Sequence, residues 1–218
     1  MKVCTDSCIL GAYAQVNQAQ KILDIGTGTG LLSLMAAQRS SAHITAIEID
    51  EQAAQQAKEN IYISPWANRI KVKNISLQDF AKENQESYDL IMCNPPFYKQ
   101  SFKSPDEARN VAMHSQELTF AEIIQFCFEF LAAEGLLYIL LPPPESSDFN
   151  QLALSAGLYR QEQLQIFTKE AGKHIRTIQV FGRLPAAKVP ELTLCIRQKD
   201  ETYTTPFRNL LKDYYLLF

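Results

Sequence analysis

The sequence predicts an α/β domain: an open, mostly parallel sheet with crossover helices on both faces and antiparallel strands late in the chain. Three observations carry that prediction. Short apolar runs alternate with stretches of helical period, the pattern of strand–helix–strand units. A glycine-rich turn, Gly26-Thr-Gly-Thr-Gly30, directly follows the first apolar run and opens the next helix. Beyond Pro144 the pattern changes to strand-like runs joined by short turns.

The elements follow in order. Lys21–Ile25 is the first strand, and the helix after the glycines runs from Leu31 to about Arg39. Ile44–Ile49 is the second strand. Asp50 then caps a helix whose buried stripe is Ala53, Ala54 and Ala57. Ile70–Val72 and Tyr88–Cys93 are the third and fourth strands, and a polar stretch without period reaches to about Glu117. Thr119 and Glu122 form a capping box. Behind it Phe120, Ile123, Ile124, Cys127, Phe128 and Leu131 recur at helical spacing, with Gly135 expected to end the helix. Leu136–Leu141 is a strand stopped by Pro142-Pro-Pro144. A short helix capped by Ser147 or Asp148 would end at Gly157. Gln163–Lys169, Thr177–Phe181 and Leu192–Arg197 read as strands joined by antiparallel turns. With no repeat and no long linker, residues 1–218 form one domain.

Composition narrows the function classes. A chain of 218 residues with 46% apolar and 21% charged residues is a globular profile that needs no disulfide or metal staple. Twenty-one basic against 24 acidic residues argue against coating nucleic acid by bulk charge, though a local basic face stays open. The five cysteines (Cys4, Cys8, Cys93, Cys127, Cys195) include no CxxC pair and read as reduced thiols, most of them buried. No apolar stretch is long enough to span a membrane and the first residues lack a signal-peptide layout. The expectation is a cytoplasmic protein with no metal and no membrane partner, monomeric rather than an obligate oligomer.

Two strand ends carry the chemistry. In Asp24-x-Gly26-x-Gly28-x-Gly30 the glycines let the backbone turn tightly beside a ligand, and the helix start adds exposed amides. Nicotinamide, flavin and S-adenosylmethionine (SAM) enzymes share such turns. Here the third glycine comes one residue too early for the dinucleotide fingerprint. Asp24 suits a ligand cation, or simply caps the turn. Glu48, ending the second strand, is placed to accept from ribose hydroxyls, or is a solvated strand-end charge. Asp79 suits an adenine amino group, or is a turn acid.

The second end is Asn94-Pro95-Pro96-Phe97, after the fourth strand. Consecutive prolines donate no hydrogen, so nearby carbonyls are left as acceptors. With the Asn94 side-chain carbonyl they form a notch for an NH₂ group on a planar substrate. Phe97 offers that plane a stacking ring worth about 1–3 kcal/mol for a base. Such a notch orients an amine for attack without a covalent nucleophile.

DIGTGTG followed by NPPF resembles the class I SAM-dependent methyltransferases that act on exocyclic or amide nitrogens. The resemblance implies a Rossmann-like fold with a mostly parallel seven-stranded sheet and an antiparallel edge hairpin. MKVCTDSCILGA, FYKQSFKSPDEARNVAMHSQELTF and Asp213-Tyr-Tyr215 resemble, more closely, bacterial tRNA adenine methyltransferases that modify N6 of adenine 37 in valine tRNA. That family carries an aromatic and basic stretch ahead of the segment with which this sequence starts, and commonly has Tyr where Phe97 stands.

By this resemblance residues 1–20 cover the cofactor and 98–117 form a substrate loop. Thr5, Asp6 and Gly11 border the methionine end of SAM. Asp24, Gly26, Gly28 and Gly30 surround its amino acid and ribose, Glu48 its ribose hydroxyls and Asp79 its adenine. Asn94, Pro95, Pro96 and Phe97 hold the target base. For the RNA, two basic segments are expected to line a rim, one with Lys99, Lys103 and Arg109, the other with Lys173 and Arg176. Guanine N2-methyltransferases of ribosomal RNA, protein-glutamine methyltransferases and a non-catalytic SAM-binding module are the competing readings.

Overall fold

The computed structural model describes residues 4–95 and 118–216. Pro96, Phe97, Lys99, Lys103, Arg109 and the whole expected substrate loop lie outside the described residues.

The chain enters as helix α1 (Thr5–Tyr13), then alternates β1 (Lys21–Ile25), α2 (Leu31–Arg39), β2 (His43–Glu48), α3 (Glu51–Tyr62), β3 (Ile70–Asn74), α4 (Leu77–Glu83) and β4 (Tyr88–Cys93). It resumes as α5 (Phe120–Phe130), β5 (Leu131–Leu141), α6 (Pro143–Ser155), β6 (Tyr159–Lys169), β7 (His174–Gly182), β8 (Glu191–Arg197) and α7 (Thr205–Leu211). The sheet order is β3-β2-β1-β4-β5-β7-β6-β8. All neighbours are parallel except those of β7, which runs against both β5 and β6.

The expected seven-stranded sheet is therefore an eight-stranded one, and the β6–β7 hairpin is not its edge. The reason is positional. β5 already occupies one side of β7, so β8 can pair only with the outer side of β6. β7 ends beside the start of β6, at the pair Gly182–Tyr159. A short link to β8 must then start that strand at the same end, so β8 runs parallel to β6 rather than by the antiparallel turn the sequence suggested.

Alternating side chains feed two cores, one on each face of the sheet. Ile22, Leu90, Met92, Tyr138 and Leu140 pack beneath α1, α2 and α7, while Leu23, Ile25, Ile91, Ile139 and Leu141 pack beneath α4, α5 and α6. The Thr119–Glu122 capping box starts α5 as predicted. Its end differs: α5 stops at Phe130 and β5 begins at Leu131, so Gly135 lies inside the strand. There the pairing shifts between Tyr88 and Leu90, and a Cβ on Gly135 would come within 2.7 Å of the Tyr88 carbonyl. Glycine is required by that close approach in a bulge, not by a helix cap. The prolines end β5 at Leu141 as expected, and they also start α6 upstream of the expected Ser147 or Asp148 cap: Pro142 precedes the helix, and Pro143 opens it at a position where a missing N–H costs nothing.

Among the described residues no helix is long and apolar enough to cross a membrane. All five cysteines are free thiols, with Cys8, Cys93 and Cys127 buried.

Candidate active site

The two predicted strand ends lie side by side. β1 and β4 are adjacent parallel strands with Ile25 paired to Cys93, so Gly26 and Asn94 are the next residues of neighbouring strands. Adjacent strands are about 4.8 Å apart, which places the glycine turn and the proline segment at one edge of the sheet, the carboxyl ends of its central strands.

The turn is built from its own neighbourhood. Gly26 has φ 69° and Gly30 has φ 87°, left-handed values that favour glycine. The amides of Gly26 and Thr27 donate to the Ile47 carbonyl of β2, both at 3.0 Å. The Asn60 amide of α3 donates to the Thr29 carbonyl at 2.9 Å. Asp24 is fully buried, and its Oδ2 accepts from Thr27 Oγ1 (2.6 Å), Ser33 Oγ (2.7 Å) and the Ser33 amide (3.1 Å). Its other oxygen, Oδ1, is buried without a hydrogen-bond partner among the described residues. Burial pushes the carboxyl up to about 6 despite those donors, and the nearby Glu48 charge adds to the rise. A cation beside Oδ1 would reverse that cost. A Cβ added to Gly26 meets nothing within 4 Å, so the turn has open space on that side.

Glu48 stands at the end of β2 as expected, and it also shapes the turn. One carboxylate oxygen accepts from the Gly28 amide at 2.8 Å, the other from the Asp50 amide at 3.0 Å. Ile49, next to it, is more than half exposed, an apolar side chain at the same edge that the sequence reading passed over. Its signal was its place directly after Glu48.

Asp79, expected beside the adenine, has its carboxylate engaged on its own helix. It sits in the first turn of α4, where its carboxylate accepts from Ser76 Oγ (2.9 Å) and pairs with Lys82 Nζ (2.7 Å), and it is well exposed. Those partners, Lys82 first, hold it below the usual carboxylate range. The residue is a helix-start acid.

At the second strand end Pro95 is buried, and Asn94 Nδ2 donates to Ser7 Oγ of α1 at 2.8 Å. Asn94 Oδ1 is buried without a partner among the described residues. The group that occupies the other end of the amide, Ser7, was missed. It is 87 residues away in sequence, beyond the reach of any local pattern.

The remaining predicted residues brace α1. Asp6 Oδ2 pairs with Arg176 Nε of β7 at 3.0 Å, both side chains mostly buried. Arg176, expected to contact phosphate, thus joins α1 to the sheet, while Lys173 is exposed in the β6–β7 turn. The Thr5 side chain lies beside the Tyr215 hydroxyl, from the Asp213-Tyr-Tyr segment. Gly11, expected beside the cofactor, lies tight against α2: a Cβ there would fall 2.6 Å from Met35 Sδ. Arg39 then closes the far end of α1, donating to the Gly11 and Ala14 carbonyls.

The family model for the methyltransferase small domain matches residues 5–141, a span that includes α1, the glycine turn and Asn94. The chain belongs to that family. Full-length relatives agree. A tRNA1(Val) (adenine(37)-N6)-methyltransferase of Dyadobacter fermentans is 43% identical over 100% of this chain and 92% of its own length. The protein of the same name from Trichodesmium erythraeum is 42% identical with the same coverage. Among solved structures, one described as a predicted O-methyltransferase from Agrobacterium tumefaciens superposes with a TM-score of 0.70 at 17% identity, covering 96% of both chains. The N-methyltransferase NodS of Bradyrhizobium japonicum WM9 gives 0.57 at 14% identity, over 81% of this chain and 92% of its own. At such identities these structures show a shared fold. The family and its full-length relatives make this chain a methyltransferase, an enzyme that needs a methyl donor.

Proposed function

We propose that this methyltransferase transfers a methyl group from SAM to the exocyclic N6 amine of adenine 37 in the anticodon loop of a tRNA, valine tRNA first. One observation carries the reading: a buried amide oxygen on Asn94, one strand away from a glycine turn that holds a buried carboxylate oxygen on Asp24, neither with a partner among the described residues. The names of the full-length relatives supply the substrate.

The turn fits the donor. The amino group of SAM is a cation suited to Asp24 Oδ1, Gly26 leaves room beside it, and Glu48 keeps lone pairs for ribose hydroxyls. Ile49 offers an apolar surface to the adenine. SAM supplies a methyl carbon already activated by its sulfonium, so the chain needs no strong base. Asn94 Oδ1 accepts one N–H of the target amine, and the carbonyls of the proline segment accept the other. Holding both hydrogens orients the nitrogen lone pair towards the methyl carbon. Phe97 stacks on the base. An anticodon-loop adenine is largely unpaired, so turning it out costs at most a few kcal/mol. Lys99, Lys103, Arg109 and Lys173 hold phosphates.

Incubating the purified protein with labelled SAM and unmodified total tRNA, then identifying the labelled nucleoside, tests the proposal. N6-methyladenosine at position 37 is the expected product. Methylated guanine, or label in protein glutamine alone, would overturn it.

A further inference from the structure

We propose that Ser7 is a positioning residue for methyl transfer: its hydroxyl fixes the rotation of the Asn94 amide so that the oxygen, not the NH₂, meets the target amine. The proposal deepens the reading above and rests on it for the identity of that amine.

An asparagine side chain has an acceptor end and a donor end of similar size, and a half-turn about its last bond exchanges them. For Asn94 the two orientations are not equivalent in function. With Oδ1 towards the substrate, the amide accepts an N–H. With Nδ2 towards it, two donors face each other in a buried place, where an unsatisfied polar group is costly. Prolines follow Asn94 in sequence and their nitrogens carry no hydrogen that could hold the oxygen away from the substrate. The orientation must be set from the other side.

In the structure it is set there by Ser7. Asn94 Nδ2 donates to Ser7 Oγ at 2.8 Å, and Oδ1 stays buried with no partner among the described residues. A hydroxyl could also donate, so its own proton needs a destination for this orientation to win. Cys4 Sγ lies 3.0 Å from Ser7 Oγ and can take it.

The position of Ser7 is itself held. It occupies the first turn of α1, and the two residues before it meet different elements: Thr5 lies beside Tyr215 in the C-terminal segment, and Asp6 pairs with Arg176 of β7. Three successive residues therefore contact three separate parts of the fold, and the third of these contacts reaches the acceptor side chain. Such bracing places a hydroxyl accurately, which a single flexible contact would not.

The experiment is a double-mutant cycle on the purified full chain with tRNA and SAM. Ser7→Ala is expected to lower kcat by about tenfold to a hundredfold, since small misplacements at a reacting group cost that much. KM values for SAM and tRNA should stay within about threefold, well under a 1.4 kcal/mol change. Ser7→Thr, which keeps the hydroxyl, should restore kcat. In an Asn94→Asp background the two carboxylate oxygens are equivalent and there is no rotation to fix, so adding Ser7→Ala should cost little more. A wild-type kcat in Ser7→Ala, or an equal further loss in both backgrounds, would overturn the proposal.

The Asn94 side-chain amide, followed by NMR without substrate, separates this result from the functional reading. One Nδ2 proton should be held in a hydrogen bond in the wild type and in Ser7→Thr, and released in Ser7→Ala and Ser7→Gly. An unchanged amide in the two hydroxyl-free variants defeats the role of Ser7 whatever the substrate. A wild-type protein that methylates guanine instead, with the amide released as expected, removes the adenine assignment and leaves Ser7 in place.

Discussion

Asp24 and Asn94 are the same kind of device built in opposite ways. Each has one buried oxygen with no partner among the described residues and uses the rest of its side chain to fix its position. Asp24 is held by residues three and nine positions ahead, Thr27 and Ser33, all inside one strand–turn–helix unit. Asn94 is held from 87 positions away, by a helix that crosses from the start of the chain. The buried acid of the donor half is thus fixed by a local motif, with β2 and α3 completing the turn around it. The acceptor half exists only once α1 has docked, which ties transfer chemistry to the integrity of the whole domain.

The largest effect expected follows from removing the acceptor. Asn94→Ala should reduce kcat by roughly a hundredfold to a thousandfold or more, as loss of one preorganised polar contact does, with SAM affinity little changed. A single-turnover assay beside a calorimetric SAM titration checks both halves. Near-normal turnover would erase the distinction between the two oxygens.

The two glycines Gly26 and Gly11 sharpen the contrast next. Gly26→Ala meets open space but strains a φ of 69°. It should cost about 1 kcal/mol in stability while weakening donor binding about tenfold or more, because the added methyl enters the cradle. Gly11→Ala should do the reverse. It overlaps Met35, and overpacking costs about 1–3 kcal/mol, lowering Tm by about 2–4 °C for each kcal/mol in a chain of this size. Donor affinity should hold. Thermal melts and donor titrations on both variants read the pair.

A pH series tests Asp24 alone. Its carboxyl is raised in the fold to about 6 by burial, above its unfolded value. The folded state therefore binds the extra proton, and free-protein stability from this group is full at low pH and lost as pH rises to about 6. The total is about 3 kcal/mol. Donor binding needs the ionised form and moves the other way, weakening by up to about tenfold per pH unit below 6. Stability and affinity that change in the same direction across that window would rule out a cation partner for Asp24. Smallest of all, Asp79→Ala should leave donor affinity unchanged, since that carboxylate is committed to Ser76 and Lys82. A clear loss in a donor titration would return Asp79 to the cofactor site.

The legibility of the chain follows the same division. β1, the glycine turn, α2 and the capping box of α5 were plain in the sequence because residue type and short spacing mark them, whatever more distant partners complete them. Gly135 was misread because glycine after a helical period has two meanings, a helix stop or a strand bulge, and only contact with Tyr88 tells them apart. β8 was recognised as a strand, but its parallel pairing with β6 was not, since pairing depends on which edge the earlier strands leave free. Arg176 resembled a surface cation, and its partner Asp6 is 170 positions earlier.

The sequence by itself determined the alternation of strands and helices, the glycine turn with its acid and the acceptor character of Asn94-Pro-Pro. These depend on residue type and short spacing. Only the tertiary structure decided that the two motifs end on adjacent strands, that Glu48 shapes the turn as well as facing it, and that α1 brings Ser7 to Asn94. Those outcomes depend on which surfaces remain unburied when the sheet closes, a choice made by the whole chain at once and written in no single segment of it.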